Sequence, residues 1–89
     1  MSTILNRIYW DKDGITMATE IIYSEITGTV WKIQSQLGDL LEPDASIMIL
    51  ESMKMEIPVL VPNGGRLVKL FVDEGAFVKE RQELAEIET

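Results

Sequence analysis

The chain repeats itself. The segment beginning at Gly28, GTVWKIQSQLGDLLEPDASIMILE, returns at Gly65 as GRLVKLFVDEGAFVKERQELAEIE, an offset of 37 residues that holds without a gap to Glu51 and Glu88. Identities fall at Gly28/Gly65, Lys32/Lys69, Gly38/Gly75 and Glu51/Glu88. Apolar residues match at Val30/Leu67, Trp31/Val68, Ile33/Leu70, Leu40/Phe77, Leu41/Val78, Ile47/Leu84 and Leu50/Ile87. Their placement at turn glycines and core-type positions indicates two copies of one structural unit. Any fold proposed for the chain must accommodate that unit twice.

Each copy reads as strand. RLVKLFV alternates Val68, Leu70 and Val72 with Leu67, Lys69 and Phe71, and TVWKIQ sets Trp31 and Ile33 against Val30, Lys32 and Gln34; period two is the signature of a pleated strand. Turn signals recur at Thr27-Gly28, Leu37-Gly38-Asp39, Glu42-Pro43-Asp44, Asn63-Gly64-Gly65 and Glu74-Gly75. Pro58 and Pro62 would break a helix and suit an edge strand. KERQELAEIE could pass for a helical turn, but its counterpart PDASIMILE carries Pro43 and reads as turn then strand. Strands are expected at 19–24, 29–34, 39–41, 47–52, 55–60, 66–72, 76–78 and 84–88. Neither copy can bury both of its faces alone. The expected fold is therefore all-β, a flattened β-barrel or sandwich of two four-stranded antiparallel sheets with an internal pseudo-two-fold repeat. Residues 1–18 are read as an N-terminal extension, either mobile or an additional strand, and residues 19–89 as the folded domain.

Composition narrows the function. With 89 residues the chain is one small domain, burying roughly two-thirds of its unfolded surface. It has neither cysteine nor histidine, which removes disulfide staples, Cys/His zinc sites and every thiol or imidazole mechanism. A substrate pocket has little room, so the reading is a non-catalytic protein. Fifteen acidic against eight basic residues give −7, which disfavours nucleic acid, whose phosphates need Lys and Arg. No stretch reaches the roughly 18–20 apolar residues of a membrane span. A cytoplasmic protein without membrane contact is the simplest reading.

Between the two copies lies Lys54, flanked by Met53 and Met55, where strand 47–52 must turn into strand 55–60. A tight hairpin there would project the amine from a rigid tip. Two methionines beside it are less expected, because exposing an apolar side chain forgoes roughly 1.5–3 kcal/mol of burial. They either fold back to cap the end of the barrel or stand out as flexible, polarizable surface for a partner. Spacing leaves both open, and leaves the lysine as either an ordinary hairpin tip or a displayed handle.

Glu51-Ser52-Met53-Lys54-Met55-Glu56 closely resembles the attachment motif of biotinyl domains, the carrier domains of biotin-dependent carboxylases. The duplicated G-x-V…G-D-x-[VL] pattern, the lysine midway between copies and the Asn-Gly-Gly turn extend the resemblance over residues 20–88. The resemblance implies a biotin carboxyl carrier. Biotin would be joined to Lys54 by a biotin protein ligase through biotinyl-adenylate, with Met53 and Met55 as flanking recognition residues and Glu51, Ser52 and Glu56 as their context. The loaded arm would serve a biotin carboxylase and then a carboxyltransferase acting on an acyl-CoA or a 2-oxoacid, the carrier itself catalysing nothing. Two alternatives stand beside it: a lipoyl carrier, and an unmodified barrel used only for protein contacts. Lipoyl relatives place Asp before the lysine and a small residue after it, so Met53 and Met55 favour biotin. Ser52 stands where many biotinyl domains have Ala. Asp44 and Arg81 stand where the family often has Gly; Asp tolerates a left-handed backbone better than Arg, so the turn at Arg81 is expected to differ or to carry strain. The ungapped repeat leaves no room for the inserted thumb of some carriers.

Overall fold

The structure, a computed structural model, describes residues 4–10 and 16–89, with side chains from residue 18 onward. The described residues form nine strands: β1 (Ile4–Trp10), β2 (Thr16–Tyr23), β3 (Gly28–Ile33), β4 (Leu40–Leu41), β5 (Ala45–Ser52), β6 (Met55–Val61), β7 (Gly65–Leu70), β8 (Phe77–Val78) and β9 (Glu83–Glu88). All eight expected strands are present, within a few residues of their expected limits. The helical-looking stretch ends in β9, as its counterpart in β5 indicated. The first strand of the repeat begins at Thr16, earlier than expected, and residues 4–10 form a further strand antiparallel to it.

The strands form two antiparallel sheets, ordered β1-β2-β9-β7-β4 and β6-β5-β3-β8. Shifting the chain by 37 residues maps β2, β3, β4 and β5 onto β6, β7, β8 and β9. It also maps the order β2-β9-β7-β4 onto β6-β5-β3-β8, so the two four-stranded sheets are copies of each other; β1 stands outside the symmetry on the edge of the first. Within this arrangement the first strand of each copy pairs with the last strand of the other, β2 with β9 and β6 with β5.

The symmetry extends to irregularities. Bulges interrupt β3 against β5 at Trp31 and β7 against β9 at Val68. Bulges also fall at Ile47 in β5 and Leu84 in β9. There the extra residue lets two consecutive side chains face inward, and Ile47 with Met48, and Leu84 with Ala85, are all buried. Backbone bonds repeat likewise. Val30 N–H donates to the Ala76 carbonyl at 2.8 Å and Leu67 N–H to that of Asp39 at 3.0 Å; Asp44 N–H donates to Val61 at 2.8 Å and Arg81 N–H to Ser24 at 2.6 Å. The core between the sheets is shared: Val30, Ile47, Leu50 and Val78 meet Ile22, Leu67, Leu84 and Ile87. Each such aliphatic contributes roughly 1.5–3 kcal/mol when buried. Two carboxylates on the first sheet are also buried: Glu20 accepts from Asn63 Nδ2 and Glu86 from Thr19 Oγ1, both at 2.9 Å.

The Gly28/Gly65 identity has a steric reason in the backbone of the strand beside it. A Cβ at Gly28 would lie 2.5 Å from the Glu51 carbonyl oxygen, and one at Gly65 would press on that of Glu88. The turn positions also match, with Asp44 at φ 67° and Arg81 at φ 73°. Arg81 thus adopts the same turn as Asp44 and carries the left-handed strain, worth about 1–2 kcal/mol for an ordinary residue. Thermal unfolding should show Gly65→Ala losing about 3 kcal/mol or more. Gly38→Ala should lose only about 1 kcal/mol, because Gly38 has φ +93° but nothing within 4 Å of a Cβ; equal losses would refute the close-approach account. Arg81→Gly should raise the midpoint by a few degrees, given about 4–8 °C per kcal/mol at this size, and an unchanged or lower midpoint would remove strain as the cause.

Candidate functional site at the β5–β6 hairpin

The β5 and β6 strands run antiparallel with Glu51 opposite Glu56 and Ser52 opposite Met55, leaving a two-residue loop of Met53 and Lys54. Both loop residues have positive φ, 52° and 65°. That is the signature of a type I′ turn, whose twist matches that of the flanking strands and which normally uses Asn-Gly. Met and Lys are poor choices for the left-handed region, each costing about 1–2 kcal/mol there. Residues held in such conformations concentrate at functional sites.

All six motif residues gather on this hairpin. Lys54 is exposed at the tip, and Glu51 and Glu56 are exposed one register row below the Ser52–Met55 pair. Ser52, half-buried, packs beside Gly28: its Cβ lies 3.4 Å from where a Cβ on that glycine would stand. The capping alternative for the methionines is not what the structure shows, since Met53 is 92% and Met55 63% exposed. Met55 has the inward parity of Leu50 and Ile57, but it lies beyond the last core layer. Apolar flanks around an amine are therefore presented to solvent, supported by strands whose inner side chains are fixed in the core.

Beside the tip, one outward-facing row crosses the whole second sheet: Phe77 on β8, Thr29 on β3, Glu51 on β5 and Glu56 on β6. Phe77 is 63% exposed. In the sequence alone Phe77 is only the apolar match of Leu40, and nothing marks Thr29. Their place beside the tip follows from strand register, which a linear repeat does not display. Elsewhere, a groove of about 240 Å3 runs between β2 and β6, lined by Ile22, Tyr23, Leu50, Ile57, Val59 and Leu60 among others, and contains none of the motif residues. Among the described residues no three of His, Cys, Asp and Glu are grouped to hold a metal.

The fold and site are those of a small all-β domain that displays a lysine on a strained hairpin midway between duplicated halves. The sequence matches the biotin-requiring enzyme (biotin/lipoyl) family over residues 16–88, and the chain belongs to that family. It is 38% identical over 63 residues to the biotin/lipoyl attachment protein of Bacillus subtilis, covering 71% of this chain and 86% of that protein. Over 79 residues it is 32% identical to urea amidolyase of Saccharomyces cerevisiae, which covers 89% of this chain but only 4% of the yeast protein. It is 36% identical over 63 residues to the alpha subunit of mouse mitochondrial methylcrotonoyl-CoA carboxylase, 71% of this chain and 9% of the subunit. Among solved structures, the urea carboxylase of Kluyveromyces lactis superposes with a TM-score of 0.75 at 30% identity, covering 93% of this chain and 7% of that one. The chain is thus a biotin/lipoyl attachment domain related to the biotin carrier domains of carboxylases, and it spans a small fraction of those enzymes.

Exchanging Met53 for Asn, which tolerates the left-handed region, should leave thermal stability unchanged or raise it by up to about 1 kcal/mol. A loss exceeding about 1 kcal/mol in denaturant unfolding would show that Met53 packs on the barrel after all.

Proposed function

We propose that Lys54 is the attachment point of biotin and that the domain is a biotin carboxyl carrier. The observation that carries this reading is the Met-Lys-Met turn itself: an exposed amine between two exposed methionines on a type I′ tip. The relatives' names, which include a carboxylase subunit and a biotin/lipoyl attachment protein, support it. Lys54 Nζ must be reachable from outside and able to shed a proton in a ligase's site. Attack on the activated carboxyl of biotin then forms an amide, AMP leaves, and the positive charge of the side chain is lost. The residues present suit this: the tip is open to solvent, and the adjoining Glu51–Glu56 row leaves it unobstructed. Attached there, biotin supplies a carrier for a carboxyl group between a biotin carboxylase and a carboxyltransferase, whose acceptor is an acyl-CoA or a 2-oxoacid.

The domain's contribution is presentation. A tethered arm reaches two separate sites at high effective concentration, and the protein supplies position while the cofactor supplies chemistry. No catalytic role is assigned to any residue of this chain, and its working compartment is taken to be the cytoplasm.

Intact-mass analysis of the protein incubated with biotin protein ligase, biotin and ATP, with a streptavidin blot, tests the reading. A single biotin-sized increment that is absent in Lys54→Arg is expected. A lipoyl increment on protein made with active lipoylating enzymes, or no increment under either condition, would overturn it. Met53→Asp should slow biotinylation severalfold while leaving the fold intact by circular dichroism; an unchanged rate would remove Met53 from recognition.

A further inference from the structure

The first strand of each copy has an outer edge, and the chain treats the two edges differently. β2 is flanked on that side by β1, with Leu5 opposite Ile21 and Arg7 opposite Thr19. Its counterpart β6 ends the second sheet and has β5 as its one strand neighbour among the described residues. β4 and β8, at the far ends of the two sheets, are two residues long and leave little edge to pair. β6 runs for seven residues, enough to template another strand.

Register determines which backbone groups of β6 point outward. In a two-residue hairpin the closing pair, here Ser52 and Met55, exchanges both ladder bonds, and alternate residues then turn their N–H and C=O to the other side. Met55, Ile57, Val59 and Val61 therefore face β5. The Val61 carbonyl indeed accepts from the N–H of Asp44, just ahead of β5, at 2.8 Å. Glu56, Pro58 and Leu60 turn theirs to the open side, and the middle one of the three has no N–H to offer. At the matching position of β2 stands Ile21, which has one, and β1 lies against it.

A second copy of the chain would meet this edge by antiparallel pairing about a two-fold axis, the commonest dimer symmetry. Overlap of Met55–Val61 with itself along its whole length fixes the register: Met55 falls opposite Val61, Glu56 opposite Leu60, and Pro58 opposite its own copy. Each outward pair would exchange two bonds, and the central pair can make neither. The defect sits on the axis itself. Sliding the strands to avoid it shortens the overlap.

We propose that Pro58 holds β6 shut against pairing with a second copy of this chain, which keeps the domain a monomer and its hairpin clear on that side. A paired strand would lie against Glu56, two residues beyond Lys54, and would flank the approach to the amine. A lysine that other proteins must reach needs that side free. The proposal stands whichever group Lys54 carries.

Sedimentation velocity of the full chain, over a wide range of concentration, tests it. Wild type should sediment as one species at the chain's own mass of 10.1 kDa. Pro58→Thr restores the N–H with a polar, strand-favouring side chain and should form a dimer as concentration rises, with affinity at least about tenfold above wild type. Pro58→Ala should do the same, because the effect belongs to the N–H and not to the new side chain. In the dimer, amide hydrogen exchange should slow at Glu56, at position 58 and at Leu60. Ile57 and Val59, bonded to β5, should stay protected as in wild type and report an intact fold. Variants that remain monomeric at every concentration, with Ile57 and Val59 protected, would overturn the proposal. So would association without slowing at Glu56 and Leu60, which would place the contact elsewhere. A wild-type dimer in which those two amides are already protected would overturn it too.

Discussion

The exchange of terminal strands between the two copies is the constraint on which everything else depends. β2 hydrogen-bonds to β9 and β6 to β5, so neither copy possesses a complete sheet of its own. The barrel closes only if both copies fold with the same register. That explains why the repeat preserves features that a looser domain would let drift: the paired bulges, the Gly28–Glu51 and Gly65–Glu88 approaches, and the turn bonds of Asp44 and Arg81. A shift of one residue in any strand would turn a buried face outward. Because most of the pairings are between residues distant in sequence, folding is expected to be slower than for a helical domain of this size.

This closure gives the hairpin its stiffness. Leu50 and Val59, on the inner faces of β5 and β6, are buried, which fixes the two strands up to the Ser52–Met55 pair. What remains is a two-residue loop with no freedom to relax, and the left-handed strain at Met53 and Lys54 is offset by the packing beneath it. The symmetry-related pole of the molecule carries the end of β9 and the start of β2, where Thr89 N–H donates to the Ala18 carbonyl at 3.1 Å. The duplication thus produces two similar poles: one holds the connection between copies and became the place of display, and the other sets the end of β9 beside the start of β2.

Much of this was legible in the sequence, for a reason specific to this chain. Local propensity left KERQELAEIE ambiguous, and comparison with PDASIMILE resolved it toward β9. The lysine's position between the copies and the resemblance of Glu51–Glu56 to a known motif located the tip. Three things were not legible. Whether Met53 and Met55 cap the core depends on how far the last core layer extends, which only the three-dimensional packing sets. The buried carboxylates Glu20 and Glu86 sit at positions whose counterparts are Ile57 and Ile49, so a repeat alignment marks them as mismatches without showing their burial or their partners Asn63 and Thr19. The Phe77–Thr29–Glu51–Glu56 row joins residues up to 48 positions apart (Thr29 to Phe77) across three strand pairings, and no local pattern announces it. Strand β1 also escaped a definite reading, because residues 4–10 have no partner in the repeat.

The account holds that a closed, duplicated barrel keeps the Lys54 tip as rigid as the strands below it. Backbone 15N relaxation of the unmodified protein measures this directly. Order parameters at Met53 and Lys54 should match those of β5 and β6, near about 0.85. Values below about 0.6 at the tip, with strands still rigid, would describe a mobile loop and contradict the claim that the fold itself presents the amine.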